Sequence, residues 1–207
     1  MLGLEKSQGL LEAEPRKRPK QARSVALVER VLDEAARLFE ESGYHATTTN
    51  HIAKAAGVSV GSLYQYFPNK DALLVGLVER HLDEAAPAML ELAAALRESP
   101  PAAEEFAAQV VTAVLDLNRS EQLHHLLWSA PRTAALEDRL AAMEATLVAE
   151  LTWHMERFGH AADVAPVRAQ LLSTVIDAAV HNIVSTHDRA QQEAELQRLV
   201  TIYLTTP

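Results

Sequence analysis

The stretch that decides the fold is TTNHIAKAAGVSVGSLYQYFPNK, Thr48 to Lys70. Thr48 stands just before a helical pattern whose buried side is Ile52, Ala53 and Ala56, so a threonine N-cap is predicted there. Gly57 reads as a tight stop. Ser59 repeats the capping signal, and Leu63 and Phe67, one turn apart, are the inward pair of the helix that follows. Pro68 interrupts, and Asn69 caps a further helix with Leu73, Leu74, Leu77 and Val78 on one stripe. Two short helices joined by a glycine turn make a helix-turn-helix. The second of them is short of core residues: Val60, Gly61, Ser62 and two tyrosines fill it instead.

Upstream, Val28, Val31, Leu32, Ala35, Leu38 and Phe39 share one helical face from about Ser24, and Gly43 suits a stop just after Ser42. Downstream, Pro87 is predicted to bend or end the fourth helix. Five more helical segments are read at 101–117, 120–129, 132–158, 165–187 and 189–204. Pro101, Pro131 and Pro166 fall near their starts and Gly159 at a stop. The expected architecture is all-α. It divides into a disordered basic arm (1–20), an N-terminal three-helix helix-turn-helix domain (21–82) and a C-terminal helical domain (83–207).

The 207 residues contain no Cys, which excludes disulfides, zinc fingers and thiol chemistry and fits a reducing cytoplasm. No run is apolar and long enough to span a bilayer, so no membrane partner is expected. The net charge is −9, yet its distribution is uneven. Residues 1–70 carry 10 Lys and Arg against 8 Asp and Glu, and all five lysines; the remainder carries 9 against 20. Ser42 to Lys70 holds no acidic residue, and Arg16, Lys17, Arg18, Lys20 and Arg23 form a basic run upstream. The basic run reads either as a solvated tail or, beside the acid-free stretch, as a DNA-contacting arm; one end of the chain could then approach a polyanion while the rest would repel it.

In a helix-turn-helix the second helix lies in the major groove with its N-terminal residues at the base edges. Small groups at Val60, Gly61 and Ser62 permit that approach. With Leu63 and Phe67 inward, Ser62, Gln65 and Tyr66 are expected to point elsewhere, with Tyr64 partly outward. Tyrosine hydroxyls reach phosphate oxygens, Gln65 can pair with a base edge, and Lys70 offers a point charge. The alternative is that Tyr64 and Tyr66 are half-buried core residues. The acid-free surroundings and the adjoining Gly61-Ser62 favour the outward reading.

The run Thr48-Thr49-Asn50-His51-Ile52-Ala53-Lys54-Ala55-Ala56-Gly57-Val58-Ser59, with Gly61, Leu63-Tyr64, Phe67 and Lys70, closely resembles the DNA-binding domain of tetracycline-repressor-like (TetR family) regulators. Leu38-Phe39 and Gly43-Tyr44 fit as well, and the resemblance covers about Gln21 to Leu82. It implies a homodimer on a palindromic double-stranded operator, most simply a repressor released by a small-molecule effector in the C-terminal domain. By position, Thr48, Thr49 and Lys70 would meet phosphate, and Asn50 a base or phosphate. Val60, Gly61 and Ser62 would face the bases, Tyr64, Gln65 and Tyr66 would mix both contacts, Ser59 would belong to the same DNA-binding surface, and Arg23 would reach from the arm. Tyr66 stands where the family often has His.

For the C-terminal part, Leu171, Leu172, Val175, Ile176, Ala179, Val180 and Ile183 form one apolar surface and Leu196, Leu199, Val200 and Tyr203 another. Both suit either a four-helix dimer interface or an intramolecular core. A largely apolar effector would be lined by Trp128, Met143, Trp153, Met155 and Phe158. His124, His125, His154, Asp177 and His181 are the polar candidates. No histidine pair has metal-ligand spacing such as H-E-x-x-H, so no metal or other cofactor is expected. There is no G-x-S-x-G, P-loop or dinucleotide glycine turn, so no enzyme is expected. A helical ligand carrier or enzyme whose N-terminal motif no longer binds DNA is the competing reading.

Overall fold

The computed structural model describes Pro15 and residues 21–117, 130–183 and 188–206, without the side chains of 181–183. Eight helices and no strand occur among them: α1 (Ala22–Ser42), α2 (Thr49–Ala55), α3 (Val60–Tyr64), α4 (Lys70–Glu98), α5 (Ala103–Leu117), α6 (Ala134–Arg157), α7 (Ala165–Ile183) and α8 (Arg189–Thr205). The expected all-α class is what forms. The basic run Arg16–Lys20 and the helix expected at 120–129 lie outside the described residues.

Helix α1 starts two residues before the expected Ser24. Gln21 takes the cap position: its N–H donates to Ser24 Oγ at 3.3 Å, and the Ser24 hydroxyl donates back to the Gln21 carbonyl at 2.8 Å. Val31, Leu32, Ala35 and Phe39 are buried, with Val28 and Leu38 at the margin. Beyond Ser42 the chain turns at Gly43, and Thr47 is buried with its hydroxyl donating to the Gly43 carbonyl at 2.9 Å. Thr48 Oγ1 then accepts from His51 N–H at 3.2 Å and opens α2.

Helix α2 ends in a Schellman turn. Gly57 N–H bonds the Lys54 carbonyl and Val58 N–H the Ala53 carbonyl, which requires the left-handed φ of 65° at Gly57. Asn69 Oδ1 accepts from Ala72 N–H at 2.8 Å and opens α4. Pro87 does not end this helix, which continues to Glu98. A mid-helix proline removes one N–H, and the Ala-, Leu- and Glu-rich flanks supply helix propensity on both sides.

The chain folds as two compact units. Of the described residues, the first holds those up to Asp83 and 130–137; the second holds Glu84–Leu117 and those from Asp138 onward. The first unit's core joins Leu32 and Phe39 of α1, Ile52 and Ala53 of α2, Leu63 of α3, Phe67, and Leu73 to Val78 of α4. Gly76 stands in close packing there. A Cβ there would stand 2.9 Å from a ring carbon of Phe67 and 3.2 Å from a methyl of Leu32.

The second unit is built on α5, α7 and α8, with the end of α6. Phe106, Val111, Leu115, Leu172, Ile176, Val180, Leu196, Val200 and Leu204 form one buried cluster. The C-terminal end of α8 is held by two basic side chains. A His160 Nε2 contact reaches the Leu204 carbonyl at 2.8 Å, and the Arg168 guanidinium donates to the Tyr203 carbonyl at 2.7 Å while lying over the Tyr203 ring. Both sit where the helix dipole is negative.

Candidate nucleic-acid interface

Helix α3 is a single turn. An isolated turn has no stability of its own, so its caps and its one buried residue hold it in place. Ser59 Oγ accepts from Ser62 N–H at 3.0 Å and shares a 2.7 Å hydrogen bond with Ser62 Oγ. Leu63 is fully buried. Val60, Gly61, Tyr64 and Gln65 face outward, with Ser62 partly covered. Thr49 Oγ1 and Tyr64 Oη lie 3.0 Å apart and bridge the exposed sides of α2 and α3. Thr48 and Asn50 are exposed at the start of α2, and Ser59 is exposed at the start of α3.

Two expected outward groups behave differently. Tyr66 is buried at 8 % exposure. The helix stops at Tyr64, and Tyr66 N–H bonds the Leu63 carbonyl, an i to i−3 bond. Three residues per turn place Tyr66 over Leu63, so the helical extrapolation that points it outward fails at the turn. Lys70 is half-buried, and its ammonium donates to the Tyr44 carbonyl at 2.6 Å while lying 4.3 Å above the Tyr44 ring. The same tyrosine donates its hydroxyl to Asp71, and burial together with that carboxylate raises its pKa. Lys70 therefore ties the start of α4 to the 43–48 turn, a bond that its helix-opening position conceals in the sequence.

A cleft of about 350 Å³ runs between α1 and the turn preceding α3, lined by Arg23, Leu27, Arg30, Gly57, Ser59 and Ser62. Arg23 and Arg30 are seven residues apart, hence on one face of α1. Among the described residues neither has an acidic partner. Glu29 and Asp33 are engaged by Arg80, and Glu34 and Glu41 by Arg37. Arg30 is absent from the sequence reading, although its two-turn spacing from Arg23 is the signal that finds it.

The segment matches the family model described as bacterial regulatory proteins, tetR family, over residues 31–77. Residues 31–77 of this chain are a tetR-type DNA-binding segment by that match. The tetR-type segment is 49% identical over 51 residues to the HTH-type transcriptional regulator YxaF of Bacillus subtilis (strain 168), covering 24% of this chain and 27% of that one. It is 44% identical over 54 residues to the HTH-type transcriptional repressor KstR2 of Rhodococcus jostii (strain RHA1), covering 26% of each. The chain spans about a quarter of the length of the curated relatives it matches. The transcriptional regulator FadR of Bacillus subtilis, solved in complex with stearoyl-CoA, shares the fold at 22% identity with a TM-score of 0.60, over 85% of this chain and 95% of that one.

The effector-site candidates separate in the second unit. His154 is buried and Met143 and Trp153 are half-buried on α6. Asp177 lies on an exposed part of α7, because the neighbouring Ile176 occupies the inward position and one residue turns the helix by about 100°. It therefore stands off the buried cluster of the second unit. His125, Trp128 and the side chain of His181 lie outside the described residues.

The apolar surface of α7 and α8 also divides. Leu172, Ile176, Val180, Leu196 and Val200 are core. Val167 (61 %), Leu171 (55 %) and Val175 on α7, and Leu199 and Ile202 (57 %) on α8, are exposed. Val167 and Ile202 are absent from the sequence reading, although Val167 stands four residues before Leu171 and Ile202 three after Leu199 on the same exposed rows. No group of metal-binding side chains occurs among the described residues, and no helix described is long and apolar enough to cross a membrane.

Proposed function

We propose that this chain is a sequence-specific DNA-binding transcriptional regulator, a repressor that acts as a homodimer and leaves a palindromic operator when a largely apolar effector binds. Gly61 carries the reading. It sits inside α3, where glycine costs roughly 0.5–1 kcal/mol relative to alanine. Yet a Cβ there would meet only Ser59 Oγ, at 3.9 Å. The fold has no need of the missing side chain; a surface docking closely against α3 does.

In this reading Asn50, Ser62 and Gln65 pair with base edges, with Val60 and Gly61 packed against them. Thr48, Thr49, Ser59 and Tyr64 meet the backbone, and Arg23 and Arg30 bring charge to the adjoining phosphates. Tyr66 and Lys70 support this surface from behind. The exposed apolar residues of α7 and α8 support dimerisation, two helices from each protomer forming a four-helix interface. Such a dimer presents its two α3 helices to half-sites about 34–36 Å apart. With DNA as its partner, the protein works in the cytoplasm. An apolar effector is in keeping with the stearoyl-CoA bound by the Bacillus subtilis FadR.

The test is Gly61→Ala. Thermal stability should rise by roughly 0.5–1 kcal/mol, while affinity for the protein's own upstream DNA, measured by fluorescence anisotropy, falls about tenfold. Unchanged affinity would remove Gly61 from the interface. The absence of any specific complex between the wild type and that DNA at modest salt would sink the regulator reading itself.

A further inference from the structure

His154 is 1 % exposed in the second unit, and neither of its ring nitrogens has a hydrogen-bond partner. A neutral imidazole always presents one N–H donor and one lone-pair acceptor. Leaving both unmet in a protein interior is unfavourable, and native structures rarely tolerate it without a use. The surroundings are aromatic: the Phe106 ring lies at 4.3 Å between centroids, Trp153 stands edge-on at 4.7 Å and Phe158 is at 6.4 Å. Leu, Ile or Phe would fill such a position without the polar penalty.

The charges near His154 restrict what could meet it. Burial foremost, then Arg157, with Arg97 adding to them against Glu150, holds the imidazole neutral with a pKa lowered to about 4. Glu150 is paired with Arg97 at 2.6 Å, which leaves Arg157 as the cation of excess. The site therefore disfavours an ammonium and favours an uncharged oxygen. The aromatic wall reaches the surface through half-buried Trp153, over which Arg97 lies at 4.8 Å, and through Phe158, covered by Arg157 at 4.4 Å. Displacing either guanidinium exposes an edge of the wall.

We propose that His154 is the polar anchor of the effector site, binding a hydrophobic compound through one hydrogen bond between the imidazole and an uncharged oxygen, such as a ketone or hydroxyl. This rests on the regulator reading above and names the chemistry of its effector. The ligand satisfies a ring nitrogen that the free protein leaves unmet, so it binds a repacked second unit better than the resting one. That difference in affinity is what a ligand needs to shift an equilibrium between two states.

The test uses the full chain and three probes of one shape: acetophenone, its hydrocarbon isostere α-methylstyrene, and 1-phenylethylammonium. Binding is followed by tryptophan fluorescence and by the ring 15N shifts of His154. In the wild type, acetophenone should bind about tenfold more tightly than α-methylstyrene, the size of one net hydrogen bond. The ammonium should bind most weakly, and a His154 ring nitrogen should shift with acetophenone alone. In His154→Phe, which keeps the aromatic shape, the two neutral probes should bind alike; His154→Gln, which keeps a donor, should restore part of the preference. Equal or undetectable binding of both neutral probes to the wild type, an unmoved 15N spectrum, tighter binding of the ammonium, or a preference that survives in His154→Phe would each overturn the proposal. Operator binding by the wild type without any probe tests the regulator reading alone, so the two can fail separately.

Discussion

The two units differ in one buried polar group and in what they leave apolar at the surface. In the first, a buried hydroxyl at Thr47 is matched to the Gly43 carbonyl, and Lys70 is matched to the Tyr44 carbonyl. Its outward surface, from Asn50 to Gln65, has only Val60 and Tyr64 as large hydrophobic groups among its exposed side chains. In the second, a buried imidazole is left unmatched, while valines, leucines and an isoleucine stand in solvent on α7 and α8. The first is finished as a single chain. The second has an apolar surplus outside and a polar deficit inside, which is what a protein waiting for partners should look like.

The comparison breaks most sharply at the exposed apolar face. Leu171→Asp combined with Leu199→Asp should turn a dimer into a folded monomer by analytical ultracentrifugation, with operator affinity down on the order of a hundredfold. Unchanged mass would show that the surplus serves something other than self-association. Next in size is Gly76→Val in the first unit. Its side chain must displace Phe67 or Leu32, and overpacking of this kind costs about 1–3 kcal/mol, readable as a lower midpoint in urea. A neutral result would mean the first core is less closely fitted than its distances imply.

A smaller effect belongs to pH. The pKa of His154 falls from 6.5 to about 4 on folding, so the folded state takes up its proton less readily than the unfolded chain. Its contribution to stability is complete above pH 6.5 and is lost as pH falls toward 4. Acid unfolding curves of His154→Phe should be flatter than those of the wild type across that window; parallel curves would show the imidazole to be adequately solvated. Smallest is Tyr64→Phe, which removes the exposed bridge to Thr49 and should cost at most about 0.5 kcal/mol in stability. Its larger signature should be weaker DNA binding, and its absence would leave the bridge a purely structural contact.

The first unit is legible in the sequence because its signals are local. A cap, a glycine stop and an inward pair lie within a few residues of one another, so spacing alone places Thr48, Gly57, Ser59, Asn69 and the pair Leu63–Phe67. Tyr66 is misplaced by any reading that continues the helix past its end, where the turn tightens. The role of Lys70 is hidden because its partner, the Tyr44 carbonyl, lies 26 positions away in sequence. In α7 the periodicity is right, but whether Leu171 or Leu172 faces the core depends on the helices opposite, and no single-helix pattern carries that. The sequence marks His154 only as one histidine among several; its isolation from hydrogen-bond partners is a property of packing and leaves no trace there.

Helix α3 has one buried residue in five. Leu63 seats it, and Val60, Gly61, Ser62 and Tyr64 take no part in the core. If α3 reads DNA as proposed, mutations at those four positions retune which operator is preferred while the fold stays intact. On that reading target choice would drift quickly, and a duplicated copy would acquire a new set of genes without first losing its structure.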